Sequence, residues 1–183
     1  MSARDRADLI ALLARRSVRR GEFVLASGQR SSVYIDCRLT TMSAAGMVLI
    51  GRLGLATIRE AKWAVQGVGG LTMGADPVAY AIAAASFLAP PALDAFSVRK
   101  EAKQHGTGRR IEGNFSAGMS VVVVEDVITS GGSALKAIAA VEEEGGRVAG
   151  VLAVVDREQG GAAALREAGY EVRALVGMGE LGV

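Results

Sequence analysis

Apolar residues along the chain fall into alternating helix-like and strand-like segments. Asp5 to Arg16 carries Leu9, Leu12 and Leu13 at helical spacing, which predicts a short amphipathic helix. Phe23–Leu25 and Val33–Asp36 read as two short strands around the turn Ser27-Gly28-Gln29-Arg30. Ser43 is the expected cap of a helix running to about Glu60. A regular rhythm follows. Trp63–Val68 is expected as a strand ending in Gly69-Gly70, with a helix over about Asp76–Phe87 behind it. Ala92–Val98, Val121–Val124, Val148–Val155 and Val172–Val176 read as further strands. Helices over Ser133–Glu144 and Gly160–Ala168 separate the last three, and Gly145-Gly146 and Gly169 end those helices. Strands separated by helices of this length predict βαβ units and a mostly parallel central sheet. Uninterrupted apolar strands fit a sheet covered by helices on both faces.

The chain has 183 residues, a length for one domain over 1–183. Chains of about 150 residues or more bury roughly 70% of their unfolded surface, so a core forms without staples. One cysteine, Cys37, excludes an internal disulfide and a cysteine-based zinc site. One histidine, His105, excludes a histidine-rich metal site, while a carboxylate-bound metal stays open. The net charge of +2 gives no global field for nucleic acid. Arg15, Arg16, Arg19 and Arg20 form a small basic cluster; a solvated helix end is the first reading, anion binding the rival. The apolar run Leu9–Ala14 is too short for a signal-peptide core. The uncharged stretch Pro77–Leu93 contains Pro90-Pro91 and reads as a buried helix entering a strand, not a membrane span. A soluble, cytoplasmic protein with no nucleic-acid or membrane partner is the expectation.

Arg99–Gly113 breaks the rhythm. It is polar, has three glycines, and holds five of the 21 Lys and Arg residues plus the only His. Long connections of this kind are usually functional or disordered.

The sharpest chemical signal is Val121–Ser133. A valine strand ends in Glu125 and Asp126, and Thr129-Ser130-Gly131-Gly132-Ser133 then opens a helix. Ligands bind at the carboxyl ends of parallel strands in open α/β folds. Small residues at a helix N-terminus offer backbone N–H groups and hydroxyls to a phosphate. The two carboxylates cannot bind phosphate, so they must face hydroxyls, a metal ion or a developing cation. A ribose 5-phosphate meets both demands. The motif is neither a Walker A loop nor the dinucleotide fingerprint, because neither spacing is present.

Val121–Ser133 resembles the phosphoribosyl pyrophosphate motif of type I phosphoribosyltransferases. Val98–Gly106 resembles the mobile lid of orotate phosphoribosyltransferases, here assigned to 99–113. Val155–Gly160 resembles that family's base-binding segment. Phe23–Gly28 with Tyr34-Ile35-Asp36 resembles its N-terminal hood, within about 1–40. The resemblance implies a type I phosphoribosyltransferase fold with a core sheet over about 61–176. It also implies a magnesium-dependent transfer from phosphoribosyl pyrophosphate to orotate. The products are orotidine 5′-monophosphate and pyrophosphate, the penultimate step of pyrimidine nucleotide (UMP) synthesis.

By that resemblance Glu125 and Asp126 hold the ribose hydroxyls. Their charge favours the oxocarbenium-like state at C1. Val127, Ile128, Thr129, Ser130, Gly131, Gly132 and Ser133 wrap the 5-phosphate. Arg99, Lys100, Lys103 and His105 meet the pyrophosphate, with Arg99 and Lys103 joining the acids as catalytic groups. Thr129 and Arg157 contact orotate, the arginine forking its carboxylate; an ion pair with Glu158 is the rival reading for Arg157. Mg2+ is held mainly by substrate oxygens and water, with no protein metal site. Gly69-Gly70-Leu71-Thr72 offers backbone amides to pyrophosphate or forms a plain turn. Many relatives carry Lys where Ala26 stands, and some near this second glycine loop, whereas no Lys occurs here between Lys62 and Lys100. The resemblance further implies a homodimer with the lid shared across the interface. Rival functions are transfer to a purine base and a non-catalytic sensor of the same sugar phosphate.

Overall fold

Ser2 and Ser43 start the first two long helices by the same device. In this computed structural model, which describes residues 2–24, 30–101 and 110–183, the Ser2 hydroxyl accepts from the Asp5 N–H at the head of α1 (Ala3–Arg16). The Ser43 hydroxyl accepts from the Gly46 N–H at the head of α3 (Ala44–Glu60). Between them lie an antiparallel hairpin, β1 (Val18–Val24) with β2 (Arg30–Ile35), and the single turn α2 (Arg38–Thr41). The hairpin is longer than predicted. β1 takes in Arg19 and Arg20, so the basic cluster is split between the end of α1 and a strand. Arg20 donates to the Gly182 carbonyl at 2.7 Å, and Arg6 Nη2 donates to both Glu180 carboxylate oxygens at 2.6 and 2.7 Å. Both arginines tie the N-terminal layer to the chain's last turn. The predicted turn Ser27-Gly28-Gln29 and Ala26 lie outside the described residues.

Six strands form the main sheet: β3 (Gly67–Leu71), β4 (Asp94–Val98), β5 (Ile111–Gly113), β6 (Ser120–Ile128), β7 (Arg147–Asp156) and β8 (Val172–Gly177), in the order β5-β4-β3-β6-β7-β8. Every pairing is parallel except β5 with β4. The crossover helices are α4 (Ala75–Leu88), α5 (Gly132–Glu143) and α6 (Gly161–Glu167). Alternation along β6 splits the core into two layers. Val122 and Val124 join Ile50, Leu53 and Ile82 of α3 and α4, while Val121 and Val123 join Ala137, Ile138 and Leu165 of α5 and α6. Burying each such valine or leucine contributes about 1.5–3 kcal/mol, so the two-sided cover holds the strand ends in fixed register.

Four expectations need correction. The strand predicted at Trp63–Val68 begins only at Gly67. Trp63 instead lays its indole over Gly150 of β7, where a Cβ would stand 2.3 Å from the ring, and its Nε1 donates to Glu171 at 2.9 Å. β6 does not stop at Val124 but continues through both acids to Ile128, because β7 pairs with it as far as Asp156. The polar segment 99–113 is not one loop: Ile111–Gly113 forms β5, and the Arg99 N–H donates to the Arg110 carbonyl at its base. The uncharged stretch Pro77–Leu93 is not wholly buried, since Phe87 and Leu88 are 76% and 85% exposed. Among the described residues no helix is long and apolar enough to cross a membrane.

Candidate active site

The carboxyl ends of β3, β6 and β7 open into a pocket of about 390 Å3, roofed by Tyr34, Ile35 and Asp36 at the end of the hairpin. Glu125, Asp126, Val127, Thr129, Ser133, Arg157 and Lys100 all line it. An adjoining cavity of about 80 Å3 is enclosed by Thr129–Ala134 together with Glu125, Val127 and Ile128. The sequence motif is therefore gathered at one place. Ile128 contributes only backbone there, for its side chain is 1% exposed and lies in the core. Lys103 and His105 lie outside the described residues. Arg99 does not line the pocket; its Nε donates to Glu112 of β5 at 2.9 Å.

The small cavity has the features of an anion cradle. Gly131 precedes α5 with φ +80°, a left-handed conformation that glycine adopts without the Cβ penalty. The cap residue has no side chain to offer, and the Ser130 hydroxyl accepts from the Gly132 N–H only at 3.5 Å. Its first-turn N–H groups therefore lack the partner that Ser43 supplies to α3, and they carry the positive end of the helix dipole.

The two acids sit beside it in low dielectric. Glu125 is 7% exposed, and its Oε1 is buried with no hydrogen-bond partner. Burial, and then the neighbouring Asp126 charge, raise its pKa to about 8. Asp126 is also raised by burial, against the Val127 N–H, which donates to its Oδ1 at 2.9 Å. The β3–α4 loop presses on this carboxylate: a Cβ at Gly74 would stand 2.5 Å from Asp126 Oδ1. Any larger residue there would have to displace the carboxylate.

Arg157 follows β7, and its N–H donates to the Ile128 carbonyl at 3.0 Å. Its Nε is buried without a partner, and among the described residues it makes no ion pair. Glu158, the rival partner, instead accepts from the Gly179 N–H at 3.1 Å. Gly69-Gly70-Leu71 belongs to β3, and the Thr72 N–H donates to Val98 at 2.8 Å. The part of this second loop that lines the pocket is Leu71–Gly74, with Met73 59% exposed.

The pocket also takes in Asp36, a hood residue, and Arg38, to which the sequence motifs assign no role. Arg38 forks the Asp36 carboxylate at 2.9 and 3.1 Å and holds it below the usual carboxylate range, chiefly by that hydrogen bond. An acid and an arginine two residues apart directly after a strand were the available signal. Cys37, between them in sequence, packs into the core at 1% exposure, its thiol pushed well up by burial and then by the charges of Asp126 and Asp36.

Comparison with known proteins agrees with this geometry. Residues 55–168 match the phosphoribosyl transferase domain. An orotate phosphoribosyltransferase of Rhodopirellula baltica is 45% identical over 184 positions, covering 98% of this chain and 95% of that one. The orotate phosphoribosyltransferase of Mycobacterium tuberculosis H37Rv is 46% identical over 185 positions, covering all of this chain and 99% of that one. A crystal structure of the M. tuberculosis H37Rv enzyme in complex with 5-phospho-alpha-D-ribosyl 1-diphosphate matches with a TM-score of 0.83 at 42% identity, over 98% of this chain and 99% of that chain. The chain thus belongs to the orotate phosphoribosyltransferase family, enzymes of the type I phosphoribosyltransferase fold.

Proposed function

We propose that the pocket at the ends of β3, β6 and β7 carries out the reaction of this family on named residues. That reaction moves ribose 5-phosphate from phosphoribosyl pyrophosphate to orotate, giving orotidine 5′-monophosphate and pyrophosphate. The carrying observation is the uncapped start of α5 set against two desolvated acids, with the unpaired Arg157 Nε in the same pocket. The α5 amides and the hydroxyls of Thr129, Ser130 and Ser133 hold the 5-phosphate. Asp126 and Glu125 take the ribose hydroxyls, and the Asp126 carboxylate opposes the positive charge that grows at C1 as pyrophosphate leaves. Arg157 and Thr129 fix orotate through its carboxylate and ring oxygens, and Lys100 meets the pyrophosphate. A purine has no carboxylate for Arg157, which favours orotate over a purine base.

The donor set suits a magnesium ion carried in by the substrate. Glu125 and Asp126 are hard oxygen donors at the pocket, and among the described residues no three His, Cys, Asp or Glu side chains form a ligand group. Such an ion would neutralise charge on the leaving pyrophosphate. The place of work is the cytoplasm, where this nucleotide chemistry finds its substrates.

The test is a split of affinities. Arg157→Ala should weaken orotate binding at least about tenfold, the scale of a lost charge-assisted fork, and leave phosphoribosyl pyrophosphate binding within about twofold. Arg157→Lys should stay impaired, because an ammonium cannot fork a carboxylate. Equal losses for both substrates would sink this assignment.

The active form is a homodimer in which Arg99, Lys103 and His105 serve the partner's pocket. An apolar stripe supports this reading. Tyr80, Ala84, Phe87 and Leu88 recur on one face of α4, flanked by Met47 and Val48 of α3, all exposed. The Tyr80 hydroxyl lies 3.0 Å from Ser97 Oγ, near the end of β4 and the pocket wall, so a second copy on this stripe would sit beside the site. Mixing Lys103→Ala with Asp126→Asn and letting subunits exchange should restore about a quarter of wild-type activity, since half the dimers are mixed and each has one complete site. Activity that stays at the level of the separate variants would place the lid over its own subunit.

A further inference from the structure

The β3–α4 loop forms one wall of the pocket through Leu71–Gly74, and it is fastened from behind. Asp76, in the first turn of α4, accepts from the Thr72 hydroxyl at 2.6 Å through Oδ2 and from the Ser97 hydroxyl at 2.7 Å through Oδ1. The only hydrogen of the Ser97 hydroxyl is used on that carboxylate. The Tyr80 hydroxyl, 3.0 Å away, is therefore the donor to Ser97 Oγ. The Thr72 N–H adds a bond to the Val98 carbonyl at 2.8 Å. One carboxylate thus joins the loop, α4 and the end of β4, three residues before Lys100, which lines the same pocket.

We propose that Asp76 is a positioning residue. It clamps the β3–α4 loop to the end of β4 and so holds the Leu71–Gly74 wall in place at the pyrophosphate end of the pocket. The premise that this wall faces pyrophosphate rests on the proposed function above, which sets Lys100, a lining residue of the same pocket, against the pyrophosphate. Met73 and Gly74 are the loop residues that carry the effect, because both line the pocket directly after the clamped Thr72. A plain alternative exists for an acid in a first turn, namely that its charge complements the helix dipole. The two differ in what they demand. The dipole needs only a negative charge near the α4 N-terminus. The clamp needs two oxygens at fixed positions, facing two hydroxyls.

The experiment compares Asp76→Ala, Asp76→Glu and Asp76→Asn in the full chain. Folding is checked by circular dichroism and melting temperature. The readouts are KM for phosphoribosyl pyrophosphate, KM for orotate at saturating sugar, and inhibition by pyrophosphate and by ribose 5-phosphate. The clamp predicts that Ala and Glu raise the sugar-substrate KM and weaken pyrophosphate inhibition at least about tenfold, the scale of lost hydrogen bonds to a charged group. Asn keeps the shape and one acceptor and should fall between them and wild type. Orotate KM and inhibition by ribose 5-phosphate should stay within about twofold. Wild-type kinetics in Asp76→Glu would overturn the clamp in favour of the dipole. Parallel loss of pyrophosphate and ribose 5-phosphate affinity would overturn it as general damage to the site. Met73→Glu tests the premise separately, because a negative charge on this wall should repel pyrophosphate. If Met73→Glu leaves pyrophosphate inhibition unchanged, the wall does not face pyrophosphate and the proposal fails with that premise. If Met73→Glu responds and the Asp76 variants do not, Asp76 alone is overturned.

Discussion

Helices α3 and α5 begin with similar small residues and end up as opposites. Ser43 adopts an extended conformation, accepts from the Gly46 N–H at 3.1 Å and donates to the Thr40 carbonyl at 2.8 Å. Its helix start is closed by its own chain. At α5 the cap position is Gly131 with φ +80°, and Ser130 Oγ is 3.5 Å from the Gly132 N–H, at the limit of a hydrogen bond. That start faces a cavity next to the buried Glu125 and the half-buried Asp126. A serine at the cap position spends its oxygen on the helix. A left-handed glycine leaves the amides to something else. On the proposed function, the difference separates a helix start that serves folding from one that holds the 5-phosphate.

The largest effect is expected where the open turn meets the acids. Asp126→Asn keeps the acceptor for the Val127 N–H and the packing against Gly74, so the protein should fold with a melting temperature near wild type. Turnover should fall at least about a hundredfold, as when one preorganised electrostatic stabiliser is lost. Near-normal turnover in the folded variant would remove Asp126 from the machinery and leave the open turn as an anion site alone.

Much of this contrast is legible in the sequence, and the reasons are local. Ser43 before a periodic run, and four valines before an acid pair, are signals carried by neighbours along the chain. The rest depends on partners far away in sequence. β6 runs on through Glu125 and Asp126 because β7 supplies Ala153, Val155 and Asp156 for pairing, which no local pattern announces. Trp63 has a strand former's profile, yet the space above Gly150 draws it out of the sheet. β5 is three residues containing a glutamate and a glycine, too short to show a period. Asp76 reads as an ordinary first-turn acid. Its clamp becomes visible only when Ser97, 21 residues on, is brought beside it.

A smaller effect, on stability, should follow from Glu125. Its pKa is raised in the folded protein to about 8 from an ordinary 4.5, first by burial and then by the Asp126 charge. Between those values the folded state keeps a proton that the unfolded state has released. Stability therefore falls as pH rises through this window and levels off above it. Glu125→Gln has no proton to lose. It should match wild type in melting temperature near pH 4.5, and its advantage should grow toward pH 9, with Asp126 contributing the same slope to both proteins. Melting curves of the ligand-free proteins across that range decide the matter: a constant difference at all pH values would mean that Glu125 is already ionised in the folded pocket.

The smallest effects come from the helix starts themselves, and they test the comparison most directly. Ser43→Ala removes the α3 cap and should lower stability by about 1 kcal/mol, the usual scale for such a loss. The kinetics should not change, because Ser43 lines neither cavity of the site. Gly131→Ala also acts on one helix start. It forces a Cβ into a left-handed conformation, which costs about 1–2 kcal/mol, and sets that Cβ 3.0 Å from the Gly161 carbonyl. Relaxing that strain shifts the backbone that sets the α5 amides at the cavity. Stability losses in the two variants should therefore be similar, while only Gly131→Ala should raise KM for phosphoribosyl pyrophosphate. Chemical denaturation and steady-state kinetics on the same preparations give both quantities. If Ser43→Ala moved that KM as much as Gly131→Ala, the two helix starts would not differ in function, and α5 would be open for reasons of folding alone.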